Sequence, residues 1–295
     1  MVKRILIQID CDPQPSTFDA VVAVDGGAEI LLRHGGVTPE TVVPLVHGAM
    51  FTRGGADLAN TAIFVGGSDV AAAEAVAAKV RDTFFGPVRV GVMLDPSGAN
   101  TTAAAAVLCA GRHLSLAVDG SPRRRALVLG GTGPVGRRVA RLLARRGAAV
   151  HLASRSPSKA EEAARRILAE VAGAEVEPLE WPSAVEGTSA ARVLAAAELI
   201  VAAGAAGVTL LDAAGRGLAT AAEVLVDLNA VPPLGIAGIG ATDKGRRDGK
   251  AVVYGALGVG GLKMKIHRAA IGRIFESADA FLDAEELLAI GQILA

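Results

Sequence analysis

The chain has 295 residues, 51% of them apolar, and its 30 basic residues balance its 30 acidic ones. This length allows an ample core and two domains, and the zero net charge excludes an overall field that would attract nucleic acid or an anionic membrane. Cys11 and Cys109 lack metal-ligand spacing and are too few for a disulfide framework. No apolar stretch reaches the length of a membrane span. We expect a reduced, soluble, cytoplasmic protein without a metal site.

The first third of the chain alternates short apolar runs with helical patterns. Strands are predicted at 3–9, 61–65 and 89–94. Ser16 is predicted to cap a first helix, with Asp19 at its third position. Further helices are predicted from Thr38-Pro39 to residue 47, from Ser68 or Asp69 to residue 84, and over 101–116. Such alternation favours an α/β domain with a mostly parallel sheet.

A glycine pattern follows the apolar run 126–129 and precedes a helical pattern and a second apolar run at 149–153. In such a pattern Gly131 would permit a tight turn, Gly133 would allow a pyrophosphate to approach the backbone closely, and Gly136 would allow the helix to pack closely on the strand. The pattern alone is weak in a chain with 36 glycines, but its context predicts a Rossmann-type dinucleotide-binding domain. Proline suits the first helical turn, where a missing N–H costs nothing. The cofactor-binding residues predicted here are Gly131, Thr132, Gly133, Pro134, Val135 and Gly136.

The end of the strand at 149–153 indicates which dinucleotide binds. Sites that prefer NAD usually place an Asp or Glu there to hold the ribose 2′-hydroxyl. This chain has Ser154, Arg155 and Ser156 instead, with Lys159 a turn later. A guanidinium suits a 2′-phosphate, and the alternative is a solvated arginine at a strand end. We therefore predict NADP, bound in part by Ser154, Arg155 and Lys159.

The rest of the chain completes this second domain and then changes character. Further strands are predicted at 176–179, 199–203, 224–228 and 252–255, and further helices at 134–146, 157–172, 188–196, 262–277 and from Asp283 to residue 294. The last two helices are expected to pack back on the first domain. With a junction at 119–122, the domains are 1–120, completed by 261–295, and 121–260. A ligand is expected between them, at the carboxyl ends of the strands.

Loop motifs spread over the whole chain match one family of enzymes. They are Phe18-Asp19 with Val24-Asp-Gly-Gly27, Phe51-Thr-Arg-Gly-Gly55, Thr61-Ala-Ile-Phe-Val-Gly-Gly67, Phe84-Phe-Gly-Pro87, Asn100-Thr-Thr-Ala-Ala-Ala105, Gly131-Thr-Gly-Pro-Val-Gly136, Asn229-Ala-Val-Pro-Pro-Leu-Gly235, Ala241-Thr-Asp-Lys-Gly245 and Gly255-Ala-Leu-Gly-Val-Gly-Gly-Leu-Lys263. With these motifs the chain resembles the NADP-dependent methylenetetrahydromethanopterin dehydrogenases of one-carbon metabolism, least closely over 173–197.

The resemblance implies that the methylene bridge of a reduced pterin is oxidised to the methenyl cation, with hydride passing to NADP. Some members of the family also accept tetrahydrofolate, and a homo-oligomer, with a trimer as the expected form, is implied. The domain plan is similar to that of bifunctional folate dehydrogenase–cyclohydrolases, which rely on a Tyr-x-x-x-Lys pair in the first domain. The single tyrosine here, Tyr254, lies far along the chain, so cyclohydrolase activity is not expected.

The resemblance also assigns catalytic residues. Because the cofactor performs hydride transfer, the protein supplies orientation and electrostatics, and a carboxylate favours the developing cation. Asp19 is assigned this role or that of holding the pterin, with a helix-capping carboxylate as the alternative. Lys263 is placed at the active site in a positioning role, with a solvated helix lysine as the alternative. Lys265 is expected at the surface.

Other polar and aromatic residues are predicted to bind the ligands, each with a structural alternative. Phe18 stacks on the pterin or belongs to the core, and His267 faces the ligand or packs in the core. The turn residues either supply donors and acceptors to the ligands or cap helices and hold turns. These turn residues are Asn100, Thr101 and Thr102 for the pterin, and Gly204 and Asn229 for the cofactor.

Two other functions fit parts of the pattern. A shikimate-type dehydrogenase that reduces a keto acid would need a Lys–Asp pair in the first domain. The first lysines, Lys3 and Lys79, do not lie in strand-end loops, which disfavours this function. A non-catalytic NADP sensor would bind the dinucleotide without turning over any reduced pterin.

Overall fold

The computed structural model describes residues 2–116, 122–182 and 185–294. The chain divides into two compact units, one formed by 1–101 with 263–295 and the other by 102–262. The junction predicted at 119–122 lies, apart from Pro122, outside the described residues. None of the helices in the described ranges combines the length and apolarity needed to cross a bilayer.

Helices and strands alternate along most of the described chain. The α-helices are α1 (Thr17–Asp25), α2 (Val43–Phe51), α3 (Val70–Thr83), α4 (Ala99–Gly111), α5 (Pro134–Arg145), α6 (Pro157–Glu170), α7 (Ser189–Ala196), α8 (Ala213–Leu218), α9 (Ala256–Arg273) and α10 (Ala284–Leu294). The strands are β1 (Ile5–Asp10), β2 (Ile30–His34), β3 (Thr61–Gly66), β4 (Gly91–Leu94), β5 (Arg125–Leu129), β6 (Ala149–Ser154), β7 (Glu175–Glu180), β8 (Leu199–Ala202), β9 (Val224–Asp227), β10 (Lys244–Asp248), β11 (Ala251–Tyr254) and β12 (Phe281–Leu282).

The first unit is built on a parallel sheet. In the described residues its strand order is β12-β4-β3-β1-β2, and every neighbouring pair is parallel. β3 and β4 are buried at every residue, as apolar strands covered on both faces are. The last turns of α9, together with β12 and α10, belong to this unit. The predicted return of the C-terminal helices to the first domain is thus confirmed.

The second unit has the strand order of a dinucleotide-binding fold. Its sheet, as far as the chain is described, runs β10-β11-β9-β8-β5-β6-β7. Counted from β5, the parallel strands follow the order 3-2-1-4-5-6, with β10 added antiparallel at the edge. The prediction of a Rossmann-type domain in an α/β protein is confirmed.

Edge strands are where the prediction missed structure. β2, β10 and β12 were not predicted, and each lies at the edge of its sheet. β10 has the sequence KGRRD and β12 contains only two residues. β10 pairs with one neighbour and consists mostly of charged residues, so no apolar run marks it in the sequence.

Two helices begin elsewhere than predicted. α2 begins at Val43 and not at Thr38-Pro39, because Pro44 has no N–H to donate and therefore fits only the first turn of a helix. α9 begins at Ala256, six residues before the predicted start at residue 262. A Cβ on Gly258 would lie 1.8 Å from the carbonyl oxygen of Asp243, so this helical glycine permits close packing.

Candidate active site

A pocket of about 220 Å³ lies in the first unit, at the carboxyl ends of β1, β3 and β4. Open α/β sheets bind ligands at this edge. Three residues predicted for the site, Phe18, Asp19 and Lys263, meet here, although Lys263 is far from the other two in the chain. The full lining is Asp10, Asp12, Ser16, Phe18, Asp19, Gly67, Ser68, Ser97, Gly98 and Lys263.

The Lys263 ammonium lies close to an aromatic ring and to the turn at Gly98. Its Nζ lies 4.5 Å from the centroid of the Phe18 ring, a cation–π contact. Nearby is Gly98, which has a φ of 63°, and a Cβ built there would lie 3.0 Å from Nζ. Any side chain at this position would therefore push the ammonium away. The neighbouring Ser97 is a non-glycine residue with positive φ, 53°.

Asp19 lies in the first turn of α1 and is nearly buried. Its backbone N–H donates to the Ser16 hydroxyl at 3.2 Å, so Ser16 caps the helix as predicted. The pKa of Asp19 is raised to about 6, chiefly by burial; the Ser16 hydrogen bond and the Lys263 charge oppose this rise, and the charges of Asp95 and Asp10 add to it. A carboxylate with this pKa is mostly ionised at neutral pH.

Two further carboxylates line the pocket and were not predicted. Asp10 is fully buried and accepts backbone hydrogen bonds from Asp12 and Ser16, both at 2.9 Å. Asp12 accepts from the backbone N–H of Ser68 at 2.9 Å and from its hydroxyl at 2.7 Å. These bonds hold together the loops that follow β1 and β3. Their position in the sequence could have indicated this role, because both aspartates follow directly on the strand predicted at 3–9.

A third buried carboxylate, Asp95, fixes the turn after β4. Its Oδ1 accepts the backbone N–H groups of Asn100 at 2.9 Å and Thr101 at 3.0 Å, and its Oδ2 accepts the Thr101 hydroxyl at 2.7 Å. The Asn100 amide also donates to the Leu94 carbonyl at 2.6 Å. Asn100 and Thr101 are completely buried, Thr102 is half-buried, and none of these residues, predicted to bind substrate, is among those that line the pocket.

His267 lies one helical turn after Lys263 but faces the interior. It is 0% exposed, and its ring stacks on Phe64 with centroids 5.6 Å apart. Its Nδ1 is 3.7 Å from Oδ2 of Asp95. Burial lowers the pKa of His267 to about 4, and Lys263 lowers it too, against the opposing effect of Asp95. The structure thus places His267 in the core, as a neutral side chain at pH 7.

The predicted dinucleotide turn joins β5 to α5. The positive φ, 71°, falls on Gly130 and not on Gly131. Gly131 is needed for space, because its Cβ would lie 2.6 Å from Cγ of Leu152, and a Cβ on Gly136 would lie 2.3 Å from the Gly130 carbonyl oxygen. α5 begins at Pro134 with no acidic residue in its first turn. The N-terminus of α5 therefore carries partial positive charge with no acidic side chain to neutralise it, and it is suited to bind a pyrophosphate.

The end of β6 lies beside this turn. The hydroxyls of Thr132 and Ser154 are 3.2 Å apart, and Ser154 also accepts the backbone N–H of Ser156 at 3.2 Å. Arg155 is exposed. Lys159 and Thr132 line a second pocket of about 160 Å³, whose other lining residues are Arg137, Glu162, Ala163 and Arg166.

The loops after β8 and β9 also carry predicted cofactor residues. The Cα of Gly204 lies 2.8 Å from the Cβ position of Gly130, so this loop touches the dinucleotide turn. Asn229 is nearly buried, donates from Nδ2 to the Pro233 carbonyl at 3.1 Å and accepts the Val231 N–H at 3.0 Å. Buried Asp227 accepts the N–H of Asn229 at 3.0 Å. Asn229 therefore holds its own loop.

Comparison with known proteins relates the chain to one family. The family profile described as methylene-tetrahydromethanopterin dehydrogenase, N-terminal, matches residues 17–97. The chain is 45% identical to the bifunctional protein MdtA of Methylorubrum extorquens over 100% of both chains. It is 32% identical to the NAD(P)-dependent methylenetetrahydromethanopterin dehydrogenase of the same organism, over 97% of this chain and 98% of the relative.

A solved structure shares the fold. Quinate dehydrogenase from Corynebacterium glutamicum, in complex with NAD, aligns with a TM-score of 0.50 over 99% of both chains. Its sequence identity to this chain is 15%, so the likeness concerns the fold alone.

Proposed function

Because the chain belongs to the methylenetetrahydromethanopterin dehydrogenase family, we propose that it oxidises methylene-tetrahydromethanopterin to the methenyl form by hydride transfer to NADP. It is an oxidoreductase with a nicotinamide cofactor. The observation that carries the proposal is the pocket that joins Phe18, Asp19 and Lys263 in a chain that also has a dinucleotide turn. The family resemblance leads us to expect a cytoplasmic homo-oligomer.

The charges of the pocket suit this reaction. Loss of hydride leaves a positive charge shared by the two pterin nitrogens beside the reacting carbon, and the step needs no general base. Of the described residues that line the pocket, three are carboxylates, Asp10, Asp12 and Asp19, and one is an ammonium, Lys263. A nearly buried carboxylate stabilises a developing cation more strongly than water does. Asp19 fits this role because it is mostly ionised above pH 6.

Lys263 acts as a positioning residue. Its ammonium is held over the Phe18 ring, where its three donors are available to the polar edge of a pterin. Its positive charge also lowers the pKa of Asp19 and so keeps that carboxylate ionised. Phe18 is 53% exposed and supplies an apolar wall for the flat pterin ring.

The second unit binds the cofactor. The glycine turn and the start of α5 hold the pyrophosphate, and the loops at Gly204 and Asn229 lie on the nicotinamide side. Ser154, Arg155 and Lys159 bind the 2′-phosphate, since β6 ends without a carboxylate that would repel it. NADP supplies the nicotinamide carbon that accepts the hydride.

The test is a spectrophotometric assay of the full chain with both methylene pterins and both nicotinamide cofactors. We expect turnover of methylene-tetrahydromethanopterin with NADP. In Arg155→Ala, the KM for NADP should rise about tenfold and that for NAD less than twofold, because a charge-assisted bond to phosphate is worth about 1.5–3 kcal/mol. Equal changes for both cofactors would refute the role of Arg155. Binding of NADP without turnover of either pterin would refute the enzyme in favour of a sensor.

A further inference from the structure

The second pocket, between α5 and α6, collects positive charge. Three of its lining residues are cationic, Arg137, Lys159 and Arg166, and one is acidic, Glu162. Glu162 forms a salt bridge with Arg166, its neighbour one helical turn away. Arg137 and Lys159 are therefore left facing the same space, a repulsive arrangement that a bound anion would relieve.

The position of Arg137 increases this repulsion. Arg137 follows Gly133, the N-cap of α5, by one turn, and its N–H donates to the Gly133 carbonyl at 2.9 Å. Helix N-termini carry partial positive charge and favour acidic side chains, but α5 has none in its first turn. The Nε of Arg137 is buried and has no hydrogen-bond partner in the described part of the chain.

The pocket adjoins the point where the cofactor's adenosine ribose is expected. Thr132 belongs both to the pocket lining and to the dinucleotide turn. Its hydroxyl lies 3.2 Å from that of Ser154, at the end of β6, where this fold places the ribose 2′ position. With about 160 Å³ the pocket has room for a phosphate group and water, since a water occupies about 30 Å³.

We propose that Arg137 determines cofactor specificity by binding the 2′-phosphate of NADP from α5, opposite Lys159 on α6. The inference rests on the proposed use of NADP and adds a residue that the end of β6 does not reveal. A phosphate monoester carries close to two negative charges at neutral pH, so it accepts charge-assisted hydrogen bonds from both cations.

The experiment is calorimetric titration of the full chain with adenosine 2′,5′-bisphosphate and with 5′-AMP, which lacks the 2′-phosphate. Arg137→Met keeps the length of the side chain and removes its charge. We expect the Kd for the bisphosphate to rise about tenfold and that for 5′-AMP to change less than twofold. Arg165→Met is the control, because Arg165 is exposed on α6 and does not line the pocket. It should change neither value.

The melting temperature without ligand separates specificity from structure. Relief of repulsion at the start of α5 should leave the Tm of Arg137→Met equal to or above that of the wild type. A lower Tm with equal weakening of both nucleotides would mark Arg137 as structural and overturn the inference. If Arg137→Met still prefers the bisphosphate as strongly as the wild type does, the role of Arg137 is refuted, whereas the use of NADP is not. Equal wild-type affinity for both nucleotides would refute the use of NADP as well.

Discussion

The two candidate sites of this protein are built in opposite ways. The dinucleotide turn is made by backbone within a few residues, and Gly131 and Gly136 act through the side chains that they lack. The pocket of the first unit is made by side chains such as Asp12, Asp19 and Lys263, brought together from four segments of the chain. The first site should therefore fail when an atom is added, and the second when a charge is removed.

The largest effect is expected at the dinucleotide turn, in Gly136→Ala. The new Cβ would lie 2.3 Å from the Gly130 carbonyl oxygen, which is backbone and cannot move aside without opening the turn. We expect the affinity for NADP to fall at least about 100-fold, or about 2.7 kcal/mol, measured by calorimetric titration.

Gly217→Ala is the matched control for this change. Gly217 lies in α8 of the same unit, and nothing lies within 4 Å of its Cβ position. This variant should bind NADP normally and gain slightly in stability, as alanine does over glycine in a helix. Normal NADP binding by Gly136→Ala would show that the turn tolerates a side chain and is not the cofactor site.

Removal of charge from the first pocket is tested next, with Lys263→Met. We expect kcat/KM to fall about 100-fold, as when an active-site donor is lost, with the Tm unchanged. Since Lys263 lowers the pKa of Asp19, the acid limb of the pH profile should also move to higher pH. Lys265→Met, on the exposed side of α9, is the control and should retain full activity. A fully active Lys263→Met would remove this residue from the site.

Asp19→Asn is expected to lower activity less than Lys263→Met does, and to increase the stability of the fold. We expect kcat/KM at pH 7 to fall about tenfold and the acid limb near pH 6 to disappear, because the amide does not titrate. The folded state raises the pKa of Asp19 from 3.8 to about 6, so it binds the proton more tightly than the unfolded chain does. The carboxylate therefore costs stability, increasingly as the pH rises from about 4 to 6.

Thermal unfolding of wild type and Asp19→Asn across this pH range measures that cost. The variant should be the more stable of the two at pH 7, by about 3 kcal/mol, and the difference should vanish near pH 4. A variant that is less stable at pH 7 would mean that the ionised carboxylate holds the fold together instead of serving the pocket.

Much of the fold followed from local pattern. The order of the second sheet follows from the strand–turn–helix pattern around Gly131 to Gly136, and Ser16 caps α1 as its position predicts. The site was predictable only in part, because Phe18, Asp19 and Lys263 carry motifs whereas Asp10 and Asp12 act through hydrogen bonds between loops. Such bonds join residues up to 56 positions apart and leave no local pattern.

The sequence by itself determined the alternation of strands and helices and the backbone turn, because hydrophobic period and missing side chains act over a few residues. Tertiary structure decided the roles of residues whose surroundings come from elsewhere in the chain. Asn100 and His267 look equally suited to a ligand and to the core, and only packing around Asp95 and Phe64 places them in the core. Gly258 lies within α9 although glycine is a poor helix former, because close contact with Asp243 requires a residue without Cβ.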